Sequence, residues 1–385
     1  MKCMHKTFEY RLYPNRIQQR LLFSCLAESR LIYNEMLELV RDHYTQSGES
    51  LGRYDLTCQF KGRGGKHVPQ STVQALCGRL DKALKRFLNR KERKEKIGFP
   101  RFKSGNRWHS IHLRQYGKGH DVFLDHETKR LRVPKKLGGS IKIKQHRPIE
   151  GIPKTAYLVR RADGHWYVLV VCDLGARPPL KDGPTIGIDL GLKVFLADSE
   201  GQTVENPRYY RRSQKKLRKA QRKTCRRKKG SNRRKRAARL AAKRHLKIAR
   251  QRKDFLHKTA RKYVDRYALV AVEDLNIQRL TKNRPLAKSI TDASWSSFVS
   301  ILDNKAEEAG CRVVKVLPRF TTQRCSSCGE MVRKSLSVRI HSCDFCDHVE
   351  DRDVNAAKNI LLAGMQPSER KVAGCGELAP RSRLL

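Results

Sequence analysis

Residues 324–360 read RCSSCGEMVRKSLSVRIHSCDFCDHVEDRDVNAAKNI, and the organisation of the whole chain follows from how this stretch divides. Two Cys-x-x-Cys pairs, Cys325/Cys328 and Cys343/Cys346, are separated by fourteen residues, slightly under the usual zinc-ribbon spacing. Four thiolates on two knuckles predict a closed tetrahedral site for a structural Zn²⁺, with no position left open for catalysis. A redox dithiol is the weaker reading, because the pairs occur together and Gly329 follows the first as in a knuckle turn. His341 and His348 are expected on the surface or facing nucleic acid, not as ligands. Asp351, Asp353 and a helical run from Val354 to Ala363 follow at once, with Gly364 as the expected helix cap. The knuckles thus read as an insertion, and the carboxylate as one part of a site completed far upstream.

Two apolar strands supply the other parts. Asp189 sits in IGIDLG (186–191), where a charge is costly unless it has a task. Glu273 closes the apolar run of ALVAVEDLN (268–276), the pattern of a buried parallel strand. Asp189, Glu273 and Asp353, delivered from two strands and a helix, can converge at a sheet edge. Three carboxylates suit a pair of Mg²⁺ ions, which activate water and stabilise the leaving oxygen in phosphodiester hydrolysis. Each acid also has a plainer reading: Asp189 as a turn residue, Asp274 as a rival to Glu273, Asp351 or Asp353 as a helix N-cap. IGIDLG occurs in actin-like kinases and ATPases as well, but no glycine-rich adenosine motif follows it here.

The charge narrows the partners. Lys and Arg number 85 against 37 Asp and Glu, a formal net charge of +48 over 385 residues. Such a chain repels itself unless a polyanion neutralises it, which points to nucleic acid and to salt-dependent binding. From Asn206 to Lys253 there is no acidic residue at all. Helix formers on either side of Gly230-Ser231-Asn232 predict two basic helices in a hairpin that hold nucleic-acid backbone, with Arg211, Arg212, Lys215, Lys216, Arg226, Arg227, Arg233 and Arg234 as contacts. Of twelve cysteines only four form close pairs, which fits a reducing compartment and one metal site. Residues 1–10 lack an apolar leader core, and no run approaches the ~20 apolar residues of a membrane span, so a soluble intracellular protein is expected.

The N-terminal half reads as a strand at 6–13, an Asn15-capped helix, a weakly structured loop at 46–66 and an amphipathic helix from about 69 to 95. The start of that second helix is expected to be exposed, with Gln70, Ser71, Gln74 and Lys82 offering donors and acceptors to base edges. GFPRF (98–102) is a turn in which Phe99, Phe102 and Trp108 alternate with Arg101, Lys103 and Arg107, a composition suited to base stacking or to core packing. Short strands fill 109–172 and form a small barrel or sheet that the first strand can join.

With these residues in view, the chain resembles TnpB, the insertion-sequence-encoded family ancestral to type V CRISPR effectors. FEYRLYPN, GFPRFKS, IGIDLGLK, VAVEDLNI, CSSCG with CDFC, and DRDVNAAKNIL carry the resemblance in family order over nearly the whole chain. It implies a multidomain α/β fold: a wedge-type β-barrel at 1–14 and 96–180, a helical recognition insert at 15–95, a ribonuclease-H-like RuvC nuclease at 181–320 and 348–364 with the basic hairpin at 206–253, a zinc ribbon at 321–347, and a disordered tail at 365–385. It implies an RNA-guided DNA endonuclease of a transposable element, cutting beside a short flanking motif. Asp189, Glu273 and Asp353 are then the catalytic magnesium ligands, and a guide RNA from the protein's own locus and double-stranded target DNA the partners. The implied location is the prokaryotic cytoplasm, at the nucleoid. The alternatives are an RNA-guided DNA-binding repressor, which has no need of three intact acids, and a transposase or transposase accessory protein, for which no tyrosine stands in a recognisable nucleophile setting.

Overall fold

A computed structural model describes residues 3–92, 98–335 and 338–366. The chain divides into two compact units, Met1–Ala176 with Lys223–Lys243, and Arg177–Arg222 with the chain from Arg244 on. The tail expected to be disordered lies, apart from its first two residues, outside the described residues, as do positions 93–95 of the second amphipathic helix.

In the first unit, β1 (His5–Tyr13) alternates strictly, burying Phe8, Tyr10 and Leu12. Pro14 stops it, and Asn15 caps α1 (Arg16–Ser47) through a capping box with Gln18. The buried face of α1 runs Leu22, Cys25, Leu26, Ser29, Ile32, Tyr33, Met36, Leu37 and Val40, the three-and-four spacing of an amphipathic helix. Gly48, at φ 73°, ends it. The stretch expected as a loop at 46–66 contains a short helix, α2 (Arg53–Gln59), which buries Leu56 completely. Seven residues with one buried apolar side chain give no periodic signal to read. Then come α3 (Gln70–Glu92) and the strands β2 (Ser110–Leu113), β3 (Phe123–Asp125), β4 (Arg130–Arg132), β5 (Ser140–Lys144), β6 (Ile152–Arg160) and β7 (Trp166–Asp173). They form one antiparallel sheet in the order β2-β6-β7-β1-β5-β4-β3, which β1 joins between β7 and β5. One apolar cluster joins the sheet to α1 and α3.

The second unit is built on β8 (Thr185–Leu190), β9 (Val194–Asp198) and β10 (Thr203–Glu205), the basic helices α4 (Tyr209–Cys225) and α5 (Asn232–Arg266) apart from their residues 223–243, β11 (Leu269–Glu273), the helices α6 (Ile277–Leu280), α7 (Arg284–Ala293) and α8 (Trp295–Ala309), and β12 (Arg312–Val316). A two-stranded ribbon, β13 (Ile340–Ser342) with β14 (Val349–Asp351), precedes α9 (Arg352–Met365). The sheet order is β10-β9-β8-β11-β12, with β8, β11 and β12 parallel. Parallel strands are covered on both faces, which is why β8 and β11 read as apolar runs. On one face lie Leu256, Ala260, Tyr263 and Val264 of α5 and Phe298 and Leu302 of α8. On the other lies α9, with Ile360 against Ala271 and Val316.

Two glycines let α9 lie close. Gly187 on β8 faces the Ala357 carbonyl, and a Cβ there would also meet Leu361 Cβ at 2.8 Å. Gly364 is not the expected cap. It lies within α9, against Ala271, where a Cβ would come to 2.6 Å of the Ala271 methyl. Gln366 takes the cap position instead. A glycine near a helix end looks the same in sequence whether it turns the chain or admits a neighbouring strand.

Candidate active site and metal centre

The parallel register pairs Ile186 with Val270, Gly187 with Ala271 and Ile188 with Val272, so Asp189 and Glu273 follow at corresponding positions of neighbouring strands, at their carboxyl ends. Open α/β sheets bind their ligands at that edge. Asp353 arrives there from the first turn of α9. Its possible role as a cap falls to Asp351, whose carboxylate accepts from the Asp353 N–H at 2.8 Å and the Val354 N–H at 3.2 Å. The Asp353 side chain is thereby left to the site. Asp274, the rival to Glu273, is exposed, whereas Glu273 is buried.

Asp189 feels the other two acids. Burial, and then the charges of Glu273 and Asp353, push the Asp189 carboxyl up to about 8. Burial also raises Glu273, opposed by a 2.5 Å hydrogen bond donated by the Thr321 hydroxyl. Asp353 holds cations already: Arg352 donates to its Oδ1 through Nε at 3.2 Å and Nη2 at 3.1 Å, and Arg339 Nη1 lies 3.7 Å from its Oδ2. The chemistry of the donors, carboxylate oxygens only, suits a hard divalent cation, but in this structure the three carboxylates do not stand close enough to one another to share one.

The four cysteines are packed more tightly. Cys325 and Cys346 Sγ are 3.7 Å apart, Cys328 and Cys343 Sγ 3.6 Å, and all four lie within 4.8 Å of one another. A tetrahedron with metal–sulfur bonds of about 2.3 Å has edges of about 3.8 Å, so this cage has metal-site dimensions. Among the described residues it is the one group of three or more Cys, His, Asp or Glu close enough to share an ion. His341 departs from its expected surface position. It is fully buried, with Nδ1 against Lys334 and its ring 6.2 Å from that of His348. The alternation of the short strand β13 turns this residue inward. His348 is half-buried beside Glu350.

Side chains to which the sequence reading gave no role hold the two centres together. Asn355 donates to the Arg324 carbonyl and accepts from the Ser326 N–H. Asn359 donates to the carbonyls of Thr321 and Arg324. Both asparagines are buried and sit four apart on α9, a spacing visible in DVNAAKN beside an acid, and the one signal that could have singled them out. Asp292 of α7 does the same for the basic hairpin. Buried, it accepts from the N–H groups of Tyr210 and Arg211 at the start of α4 and from Arg252 of α5 at 2.8 Å.

The expected nucleic-acid contacts divide. Arg211, Arg212, Lys215, Lys216, Arg226, Arg227 and Arg233 are exposed on α4, the turn and α5, and Arg234 is half-buried. Arg101 is exposed and Lys103 half-buried. The start of α3 is not the open surface expected of it. Gln70 spans Gly64 N–H and the Phe60 carbonyl, the Ser71 hydroxyl is buried, and Gln74 accepts from Arg114. Lys82 alone of the four is exposed. The loop before α3 and strand β2 cover this helix, which its own amphipathic pattern cannot reveal. Trp108 belongs to the core, tilted at 45° against Tyr33 with the Arg79 guanidinium over its ring, whereas Phe102 is 47% exposed.

Comparison with known proteins matches three stretches of the chain. Residues 159–284 match the OrfB_IS605 family, described as "Probable transposase", and residues 295–360 match "Cas12f1-like, TNB domain". Residues 1–49 match a "Helix-turn-helix domain" of OrfB_IS605 proteins, although here they form β1 and one unbroken helix. A Streptomyces pristinaespiralis protein named "Putative RNA-guided DNA endonuclease" is 32% identical, over 98% of this chain and 92% of its own. "TnpB-like protein L770" of Acanthamoeba polyphaga mimivirus is 29% identical over 59% of this chain and 46% of its own. The fold is shared with a Cas12f1 solved with guide RNA and target DNA, at a TM-score of 0.60 and 15% identity, covering 93% of this chain and 98% of that one. No helix among the described residues is long and apolar enough to cross a membrane.

Proposed function

Because this chain belongs to the TnpB family, we propose that it is an RNA-guided DNA endonuclease that cuts double-stranded DNA beside a short flanking motif, at a site formed by Asp189, Glu273 and Asp353. The observation that carries this reading is the pair of carboxylates at adjacent strand ends, with the third acid delivered by a helix whose cap is a separate residue. Asp189, Glu273 and Asp353 would hold Mg²⁺ once drawn together around it, and the ion would supply activation of water and stabilisation of the leaving oxygen. The chain's own residues position that chemistry. Thr321 fixes the Glu273 carboxylate, Arg352 and Arg339 orient Asp353, and burial keeps Asp189 from standing ionised without a cation.

The four cysteines hold Zn²⁺ in a structural role, and the acid-free hairpin holds the guide RNA or its duplex with target DNA through Arg211, Arg212, Lys215, Lys216, Arg226, Arg227, Arg233 and Arg234. Arg101, Lys103 and Lys82 of the first unit add further cations for nucleic-acid backbone. The test is to purify the protein from a host expressing its own locus, sequence the RNA that accompanies it, and assay cleavage of DNA matching the end of that RNA. Metal-dependent cutting that disappears in Asp189→Ala, with bound RNA retained, is expected. No bound RNA, or cutting unchanged in Asp189→Ala, overturns the reading.

A further inference from the structure

The aromatic segment around Phe102 lines a cavity to which the proposed cleavage chemistry gives no role. The cavity, of about 450 Å³, lies in the first unit between the C-terminal half of α1 and residues 99–102. That volume is at the small end of the range for small-molecule sites. Its walls include Leu37, Tyr44, Phe99 and Phe102, and Arg41 and Arg101 stand exposed beside them. No acidic side chain is among the lining residues.

The aromatic wall is held in place. Phe99 packs at 5.2 Å and 72° against Phe87 and at 5.9 Å against Tyr44. Phe102 is followed by a residue whose backbone is fastened to α1: the Lys103 N–H donates to Asn34 Oδ1 at 2.8 Å, and Asn34 Nδ2 donates to the Lys103 carbonyl at 3.1 Å. A large apolar ring is therefore kept 47% exposed on a fixed mount. Folding alone gains little from such an arrangement, because exposed aromatic surface forgoes its burial.

We infer that this cavity binds one unpaired nucleotide, its base stacked on Phe102 and Phe99 and its flanking phosphates held by Arg41 and Arg101. Sequence-tolerant single-strand sites combine these two elements, an aromatic face for the base and cations for the backbone. A base within a duplex has both faces covered, so the occupant is a nucleotide turned out of the stack or lying in an unpaired segment. An uncharged apolar ligand leaves the two guanidinium groups without a purpose. The inference rests on the nucleic-acid reading of the protein, and the strand can be guide RNA or displaced DNA.

Ultraviolet crosslinking of the purified protein–RNA complex, alone and with a target duplex matching the end of that RNA, followed by peptide mass mapping, tests it. Crosslinks are expected on peptides carrying Tyr44, Phe99 or Phe102. A ribonucleotide remnant assigns the RNA and a deoxyribonucleotide remnant the DNA. Phe102→Ala should weaken binding of the assigned strand roughly tenfold, the size of one lost stacking contact, while Phe102→Trp retains it and both variants unfold at the wild-type temperature. If Phe102→Ala does not fold, Phe102→Trp and the crosslink map decide. A wild-type complex that cleaves its target and crosslinks elsewhere but not on these peptides overturns the pocket and leaves the nuclease reading standing. Phe102→Ala binding as tightly as wild type does the same. Absence of any bound nucleic acid overturns both.

Discussion

Replacing Gly187 by alanine should separate α9 from the sheet, and the structure sets the size of the effect. A methyl group on Gly187 would drive into the Ala357 carbonyl and come to 2.8 Å of both Leu361 N and Cβ. These obstacles are mostly the backbone of α9 and cannot rotate away, so the helix must move. Overpacking a core costs about 1–3 kcal/mol, and a backbone obstacle belongs at the upper end of that range. About 3 kcal/mol is about a hundredfold in the equilibrium for local opening. Hydrogen exchange of the α9 amides, measured on the metal-loaded protein, should therefore speed up about a hundredfold. Cleavage should fall by a similar factor, because a shift of about 1 Å in a positioned catalytic group costs on the order of 10²-fold. Gly364→Ala is the control. Its obstacle is the Ala271 methyl at 2.6 Å, so Ala271→Gly should rescue Gly364→Ala but not Gly187→Ala. Wild-type exchange in Gly187→Ala, or its rescue by Ala271→Gly, would refute this account of how α9 is seated.

Three further outcomes are expected. Burial, followed by the charges of Arg114, Lys82 and Arg79, pulls His112 down to about 4. The unfolded chain then takes up the proton first, so stability present above about pH 6.5 is lost as the pH falls toward 4. After allowance for partial solvent screening this is roughly 1–2 kcal/mol, read as a falling unfolding midpoint that His112→Gln flattens. Cys328→Ser should lower bound zinc from about one per chain toward none by elemental analysis, with loss of amide protection confined to the ribbon and the start of α9. Asp292→Ala leaves the first N–H groups of α4 and the Arg252 guanidinium without their acceptor, and should cost about 3 kcal/mol in urea unfolding, with Asp292→Asn costing less.

What could be read from the residues was what local chemistry dictates. The knuckles, the apolar strands ending in Asp189 and Glu273, the acid-free hairpin and the Asn15 cap each carry their signal within a few residues. What escaped depends on neighbours distant in sequence. Helix α2 exists because Leu56 finds a core to enter. Gln70 and Gln74 turn inward because the α2–α3 loop and Arg114 come to meet them. Gly364 admits a strand, and His341 is buried by a two-stranded ribbon too short to show alternation. The N-cap ambiguity between Asp351 and Asp353 was likewise insoluble from spacing alone, since both stand at the head of the same helix.

The asparagine pair on α9 has a consequence for descent. The ribbon leaves the nuclease core near Thr321 and Arg324, which Asn359 and Asn355 bind, and returns at Asp351, one helical turn from Asn355. Exit and return are thus fastened to the same helix. Insertions with neighbouring ends are the kind that folds tolerate. The segments between the cysteine pairs can change in length while the four thiols keep their cage and the anchor keeps Asp353 beside the strand ends. The edge that carries the three acids can stay constant while the loops of the module beside it diverge.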